Sequence, residues 1–473
     1  MAEEPEKPKS FRDPVEPETR AERLLANCIL RGEPADVSGF ENDTDKEVRA
    51  AFLRDLCLNA ENRNIDPQGI WLRGARVTET LDLNGAIMGR SLWFADCTLM
   101  GRPDFTEAKG KSLGFAKCIL PGFDADRLAL EGSLTFIGAT VIGETRLLGA
   151  KVGRQIECSE ASFTNKGGKA FSADDLEVGG DLFFRGATAI GETRLLGVKV
   201  GGQVDCFGAT FTNEGGVAFS MDRLVVEGDL VFRGATMRGE TRLPGVRVGG
   251  QVDCFGTAFI NEGGYAFRAD GLKVGEALFF RSLRTLVAGR MSLNHASVDS
   301  LAADGSGWPE SGLLDLDGFR YRTLGVYHPW TTLLGWIERQ PPGEFTPQPY
   351  EQAIKVYREA GHLADAREMG IAKEDAYRKQ GGLGWGHRAW LWFAKWTIAY
   401  GYKPWRALAW IFFAVMLAWM IFNSAYHQGY MRPAKERVFI HDCFNGKAAS
   451  DQCSAWIERK LKWRAEPLRV PED

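Results

Sequence analysis

Histidine is scarce in this chain, with six residues in 473, namely His295, His328, His362, His387, His427 and His441. No two stand at ligand spacing, and only His441 and Cys443 are near neighbours, so a zinc site of the usual kind is not expected. A surplus of one charge sign is also missing. The 58 Lys+Arg against 62 Asp+Glu leave a net charge of −4, which gives no electrostatic ground for a nucleic-acid partner. Nucleotide fingerprints fail in the same way. Gly110-Lys111-Ser112 has Phe105 where a phosphate loop needs glycine, and Gly305-Ser306-Gly307 runs into Trp308-Pro309 without a third glycine. There is no redox CxxC, no haem-attachment motif and no nucleophile elbow. No catalytic residue, metal or cofactor is assigned on this reading. Residues 1–20 hold no apolar h-region and are charged and proline-rich. They read as disordered rather than as a secretory leader, which places the bulk of the chain in the cytoplasm with reduced thiols.

What the chain has is repetition. Phe136, Phe184, Phe232 and Phe280 recur every 48 residues. GETRLLG begins at Gly143 and Gly191 and returns as GETRLPG at Gly239, while VGRQIEC ends at Cys158 and VGGQVDC at Cys206 and Cys254. A shorter module lies inside, as in Leu72-Arg-Gly-Ala75-Arg-Val77, Leu147-Leu-Gly-Ala150-Lys-Val152 and Leu316-Asp-Gly-Phe319-Arg-Tyr321. A helical period would scatter these apolar positions around its circumference, whereas short strands turned by glycine use all of them. The expected fold is mainly β, a right-handed β-helix of pentapeptide-like modules of ~11 residues, two to a coil, stacked at ~4.8 Å. That gives about eleven coils and a rod roughly 50 Å long.

The 48-residue unit is then two coils plus one enlarged turn, carried by Asn165, Asn213 and Asn261 with the Gly-Gly pairs that follow them. Repeated insertions on one side of a solenoid form a candidate binding face, or simply accommodate left-handed backbone in a wide turn. Two charged columns are candidates as well. Glu144/Arg146, Glu192/Arg194 and Glu240/Arg242 share a strand face, and Arg185, Arg233 and Arg281 form a second line. They suit an extended partner or an anionic headgroup, or else serve solubility alone. Cys158, Cys206 and Cys254, two coils or about 10 Å apart, are too distant for a disulfide or shared metal and read as small core residues. Cys97 and Cys118 occupy the small-residue slot on adjacent coils, with a bridge between them left open.

Beyond residue 325 the period changes. Pro347-Gln-Pro-Tyr350 opens a helical run, Gly361 punctuates it and a second run follows, a hairpin of tetratricopeptide type expected to cover the open end of the solenoid. Ala407 to Phe422 carries no charge and with Asn423 to Tyr426 reaches the ~20 residues of a membrane span. Trp405, Trp410, Trp419 and Tyr426 are its interfacial aromatics. Ala389 to Tyr400, with Lys395 inside, reads as an amphipathic interfacial helix. Arg378, Lys379, Arg388, Lys395, Lys403 and Arg406 precede the span and Arg432, Lys435 and Arg437 follow it, favouring an N-terminus inside. Residues after 426 then lie in the periplasm, where Cys443 and Cys453 are a candidate disulfide. The expected organisation is a disordered stretch over 1–20, a helical cap over 21–69, the β-helix over 70–322, a helical connector over 323–385, interfacial helix and anchor over 386–426, and a periplasmic tail over 427–473.

The alternation of apolar steps resembles the pentapeptide-repeat β-helices, with the strict five-residue register broken. The helical VRAAFLRDLCL before the first coil, the units of the type ASFTNKGGKAFSADDLEVGGDL and the stretch from Tyr350 to Trp405 resemble a group of uncharacterised bacterial membrane-anchored β-helix proteins. Some of that group are loosely labelled membrane-associated oxidoreductases. The resemblance implies a bacterial membrane-anchored β-helix protein and carries no catalytic residue across. With the single span and its basic flanks, the expected location is the bacterial inner membrane with the β-helix cytoplasmic. Some relatives in that group continue into a second hydrophobic helix, so the end at Asp473 reads as a shortened copy. The expected function is a non-enzymatic scaffold presenting the β-helix to a protein partner, with self-association left open. The alternative is a membrane-associated oxidoreductase with a bound redox cofactor.

Overall fold

The computed structural model describes residues 15–59, 64–283, 287–305, 307–343, 345–380 and 382–431. It divides into two units, residues 1–381 and 382–473. The first is a right-handed β-solenoid with helices at its N-terminal side and a helical cluster after its last coil.

Each coil contributes four short extended segments. For the coil that begins at Leu134 they are Leu134–Thr135, Thr140–Ile142, Thr145–Arg146 and Lys151–Val152. The first and fourth belong to a 20-stranded sheet and the second and third to a 14-stranded one, counted over the described residues. All pairings are parallel and link successive coils, with register shifts where the long strands bulge. The step is 22 residues from Leu182 to Val204 and 26 from Val204 to Leu230, so the 48-residue repeat is one plain coil and one coil with four extra residues. Eleven such pairings run from Leu72 to Leu324, in agreement with the expected number of coils.

The interior shows why the sequence alternates. Along the first side the inward position reads Phe136, Cys158, Phe184, Cys206, Phe232, Cys254, Phe280, each fully or almost fully buried. On the second side Phe163 pairs with Ala189 and Phe211 with Met237. On the third side Phe171 pairs with Thr193 and Phe219 with Thr241. A coil with cysteine in the first column therefore carries two phenylalanines elsewhere, and its neighbours carry one. A stacked core leaves no void and admits no overlap, so each coil must fill the same cross-section. From Phe136 to Phe232 the rings form a zigzag, with centroids 6.0 Å apart for Phe136–Phe163, 5.2 Å for Phe163–Phe171 and 5.3 Å for Phe171–Phe184.

Both ends are closed. Helix α1 (Arg20–Cys28) and helix α2 (Ala50–Leu58) flank two short strands, Ala35–Asp36 and Glu47–Arg49, which pair with the first full coil. The region read from sequence as a helical cap thus also lays down a partial coil. After the last strand come α3 (Trp330–Ile337), α4 (Gln348–Glu359) and α5 (Leu363–Gln380). The outer edge of the final coil would leave carbonyls without a partner. Gln348 Nε2 donates to the carbonyl of Phe319 at 3.0 Å, and Gln352 Nε2 to that of Tyr321 at 2.6 Å. Helix α4 substitutes side-chain amides for the missing strand. Helix α3, unanticipated from sequence, buries Leu333, Trp336 and Ile337, with Trp336 against Trp308 at 5.4 Å.

The second unit holds α6 (Trp385–Ile398) and α7 (Trp405–His427), separated by Ala399 and Tyr400 in left-handed conformation. Helix α7 has 23 residues, none buried, and is apolar enough to cross a membrane. At 1.5 Å per residue it is about 35 Å long, which exceeds a hydrocarbon core of ~30 Å.

Candidate functional site

The recurrent polar residues are the first candidates, and most are engaged within the solenoid. Thr145, Thr193 and Thr241 of the GETR segments point inward and are completely buried, which turns the flanking Glu and Arg outward together. Each arginine then reaches a carboxylate twenty residues earlier. Arg146 Nη2 lies 2.6 Å from Asp126, Arg194 Nε 3.0 Å from Asp174 and Arg242 Nη2 3.0 Å from Asp222. Burial pushes the Glu240 carboxyl up, with Arg242 opposing. The second line reaches forward by the same step, with Arg185 2.6 Å from Asp205 and Arg233 2.6 Å from Asp253. Arg185 and Arg233 also lie over the rings of Phe183 and Phe255. These columns are neutralised ladders between coils, so the partner-binding alternative loses its free charges at those positions.

Arg281 departs from the pattern. It lies over Phe279, but the register sets Phe279 against Ala302, where Phe183 and Val231 face Asp205 and Asp253. Its Nε has no hydrogen-bond partner among the described residues.

The enlarged turns are likewise self-contained. Asn165 Nδ2 donates to the carbonyl of Lys169 at 2.8 Å, Asn213 to Val217 at 2.9 Å and Asn261 to Tyr265 at 2.8 Å. Each amide closes its own bulge inside an eleven-residue strand, such as Ser162–Ser172. The glycine of the next GETR segment stands under the bulge. At Gly191, with φ of +119°, an added Cβ would lie 2.4 Å from the Asn165 carbonyl oxygen. The asparagines hold the turn, while Lys166 and Gly167 form its exposed tip.

The cysteines are structural in their placement. Cys158, Cys206 and Cys254 are fully buried, and burial pushes each thiol well above its ordinary value. Cys97 and Cys118 are both free and buried. A hydrogen bond between the two thiols lowers Cys97 and raises Cys118, and Cys97 Sγ also approaches the carbonyl of Ala95 at 3.2 Å. Cys443 and Cys453 lie outside the described residues. No group of three His, Cys, Asp or Glu side chains that could hold a metal occurs among the described residues.

A cleft of about 700 Å³ opens between α3, the segment that follows it and α5. Trp330, Leu334, Ile337, Phe345 and Tyr350 wall it, with Glu338, Glu368, Asp375 and Lys379 among the polar lining, and that lining includes no cysteine or histidine. On α7, Trp405, Trp410 and Trp419 are all exposed. Trp405 stands at the end of the helix, whereas Trp410 and Trp419 lie about 8 Å and about 12 Å in from the nearer ends.

One charged column was not singled out from sequence. On the fourth side, Lys109, Ala129, Lys151, Glu177, Lys199, Val225, Arg247, Lys273, Ser297 and Arg320 stack in register. Lys151 and Lys199 flank Glu177, at 2.9 and 3.1 Å, and keep about two thirds of their side-chain surface exposed. Lys109, Arg247, Lys273 and Arg320 are exposed and have no ion pair among the described residues. The signal was present as the recurring Lys151-Val-Gly, Lys199-Val-Gly, Arg247-Val-Gly and Lys273-Val-Gly.

The class these features define is a right-handed β-solenoid, closed by helices and accompanied by one membrane-length apolar helix. No family model, no curated protein and no solved structure matches the chain.

Proposed function

We propose that the chain is a membrane-tethered, non-enzymatic scaffold whose solenoid presents its outer surface to a protein partner. The observation that carries this reading is an exposed 23-residue apolar helix in a chain whose solenoid consumes its recurrent reactive residues in stacking. A helix of that length and composition with no buried residue is stable when lipid covers it. The six basic residues before the span against the three that follow it favour a solenoid on the cytoplasmic side of a bacterial inner membrane. Helix α6 exposes Trp385, Trp390, Trp392, Phe393 and Trp396, with the half-buried Lys395 among them, a composition suited to the interfacial zone.

The test has two parts. Resistance of the full chain to alkaline extraction from membranes, with the solenoid cleaved by protease only from the cytoplasmic side, is the expected result. Release by alkali would overturn the tether. An absorbance spectrum of the purified protein addresses the oxidoreductase alternative, and a stoichiometric flavin or haem band would displace the scaffold reading. Crosslinking in native membranes then identifies the partner.

A further inference from the structure

Among the described residues, the fourth-side column carries an excess of positive charge. Its outward positions, together with the adjoining outward position in each coil, hold Lys109, Lys111, Lys151, Lys199, Arg247, Lys273, Arg320 and Arg322. Against these eight cations stand Glu131, Glu177, Glu227 and Asp299, in a chain whose net charge is −4. Apart from Arg281, the arginines of the first and third sides are matched with carboxylates at 2.6 to 3.0 Å. On the fourth side Lys151 and Lys199 share Glu177 and Arg322 pairs with Asp299, whereas Lys109, Lys111, Arg247, Lys273 and Arg320 have no ion pair among the described residues.

The shape of this side is as distinctive as its charge. Next to the cations run Gly153, Gly179, Gly201, Gly249 and Gly275. Their coils stack so closely that a Cβ at Gly179 would stand 2.3 Å from the Gly153 carbonyl oxygen, and at Gly275 2.2 Å from that of Gly249. No side chain rises from those positions. Gly153, Gly179 and Gly201 instead floor an open, shallow groove of about 530 Å³, with Lys151, Glu177, Lys199 and Glu227 along it. From Lys109 to Arg320 the column spans nine coil steps, about 43 Å at the strand spacing.

We propose that this face is where the solenoid meets an anionic phospholipid surface. A compact ligand engages two or three of the cations, whereas an extended plane of negative charge engages the whole line. Each cation contributes a modest attraction, effective within a Debye length of the surface. A tether raises the local concentration enough for modest terms to suffice, and in this respect the inference rests on the membrane reading above. Glu177 does not break the line, because Lys151 and Lys199 on either side neutralise it and remain exposed.

The test uses the full chain on vesicles of phosphatidylcholine alone and of phosphatidylcholine with phosphatidylglycerol, with lysine acetylation mapped by mass spectrometry. The expected result is a several-fold fall in labelling at Lys109, Lys151, Lys199 and Lys273 on the anionic vesicles only, reversed by salt. Lys117 and Lys166, exposed on other corners, should label equally on both. The variant Lys199→Glu with Arg247→Glu and Lys273→Glu should remove the protection of Lys109 and Lys151. Its circular dichroism reports folding independently.

Alkaline extraction separates the two ideas. Protection on anionic vesicles with release by alkali keeps this inference and overturns the tether. Resistance to alkali without protection keeps the tether and overturns this inference. Protection found in native membranes but in neither pure-lipid vesicle overturns the lipid assignment in favour of an acidic protein. Failure to associate with any vesicle overturns both.

Discussion

Arg233 Nη2 stands 2.6 Å from Asp253 Oδ2 across one coil, and the equivalent position beside Arg281 is occupied by Ala302. The Asp253 side chain is only 8% exposed, and it also accepts the backbone N–H of Phe255 at 2.9 Å. It therefore satisfies two donors at the corner of the coil. Asp253→Ala should destabilise the solenoid by about 2 kcal/mol, because a half-buried guanidinium and an amide both lose their acceptor. Ala302→Asp should do the reverse and more weakly, raising stability by about 0.5–1 kcal/mol as Arg281 gains a partner. Thermal unfolding of the two variants checks both signs, and a destabilised Ala302→Asp would show that Arg281 is satisfied by other means.

The N-terminal closure depends on one carboxylate. Glu22 is fully buried and completes the capping box of α1. It also accepts the backbone N–H and Nε of Arg49, both at 2.9 Å, where Arg49 is the N-cap of α2. Burial pushes the Glu22 carboxyl up, but the hydrogen bonds from Arg49 and Glu18 outweigh it and hold the group below its ordinary 4.5. A depressed folded value means that the contribution is complete above pH 4.5 and is lost as pH falls through the lower folded value. Glu22→Gln should cost about 2 kcal/mol near neutrality. The gap between variant and native chain should close in acid, and a gap independent of pH would assign the effect to packing instead.

The fold was legible because its period is unusual. Alternating steps of five and six, as from Leu72 to Val77 and from Val77 to Leu83, keep to no helix face, and recurrences such as GETR pointed to the two-coil unit. The charge columns were legible as geometry but not as chemistry. Sequence showed that Glu192 and Arg194 share a face, yet the partner of Arg194 is Asp174, twenty residues away in the preceding coil. Pairing across coils depends on the 22- and 26-residue steps, which exist only once the register is known. The asparagines misled for a similar reason. An insertion with Asn and Gly-Gly reads as a protruding loop, and only the hydrogen bond from Asn213 to Val217 shows the amide spent on closing it. Helix α3 was missed because WTTLLGWI is short and lacks a polar N-cap, and it is held by packing Trp336 on Trp308.

The threonines of the GETR segments offer a stabilising substitution. The hydroxyls of Thr145, Thr193 and Thr241 are buried with no hydrogen-bond partner among the described residues. A buried hydroxyl without a partner costs roughly 1–3 kcal/mol relative to an apolar group of the same shape. Valine matches threonine in volume and is at home in a strand. Thr193→Val should therefore raise stability by about 1 kcal/mol, and the triple variant should raise the unfolding temperature further. A loss of stability would mean that an internal water satisfies these hydroxyls.

Thiol reactivity should follow burial rather than sequence position. Among the seven described cysteines only Cys28 is not buried, and partial burial still pushes its thiol above the ordinary value. Cys57 is pushed up to about 12 by burial, and the same cause raises Cys158, Cys206 and Cys254 well above the ordinary thiol value. The thiolate is the reacting species, so at neutral pH these four should be inert in the folded chain. Alkylation of the native protein, read by peptide mass spectrometry, should modify Cys28 first and spare the four until denaturant is added. Cys97 tests a finer point, because the thiol of Cys118 lowers its pKa while its surface stays 1% exposed. If access controls the rate, Cys97 remains unmodified with the others. Rapid native labelling at Cys97 would instead show that the first coils open while the later ones stay stacked.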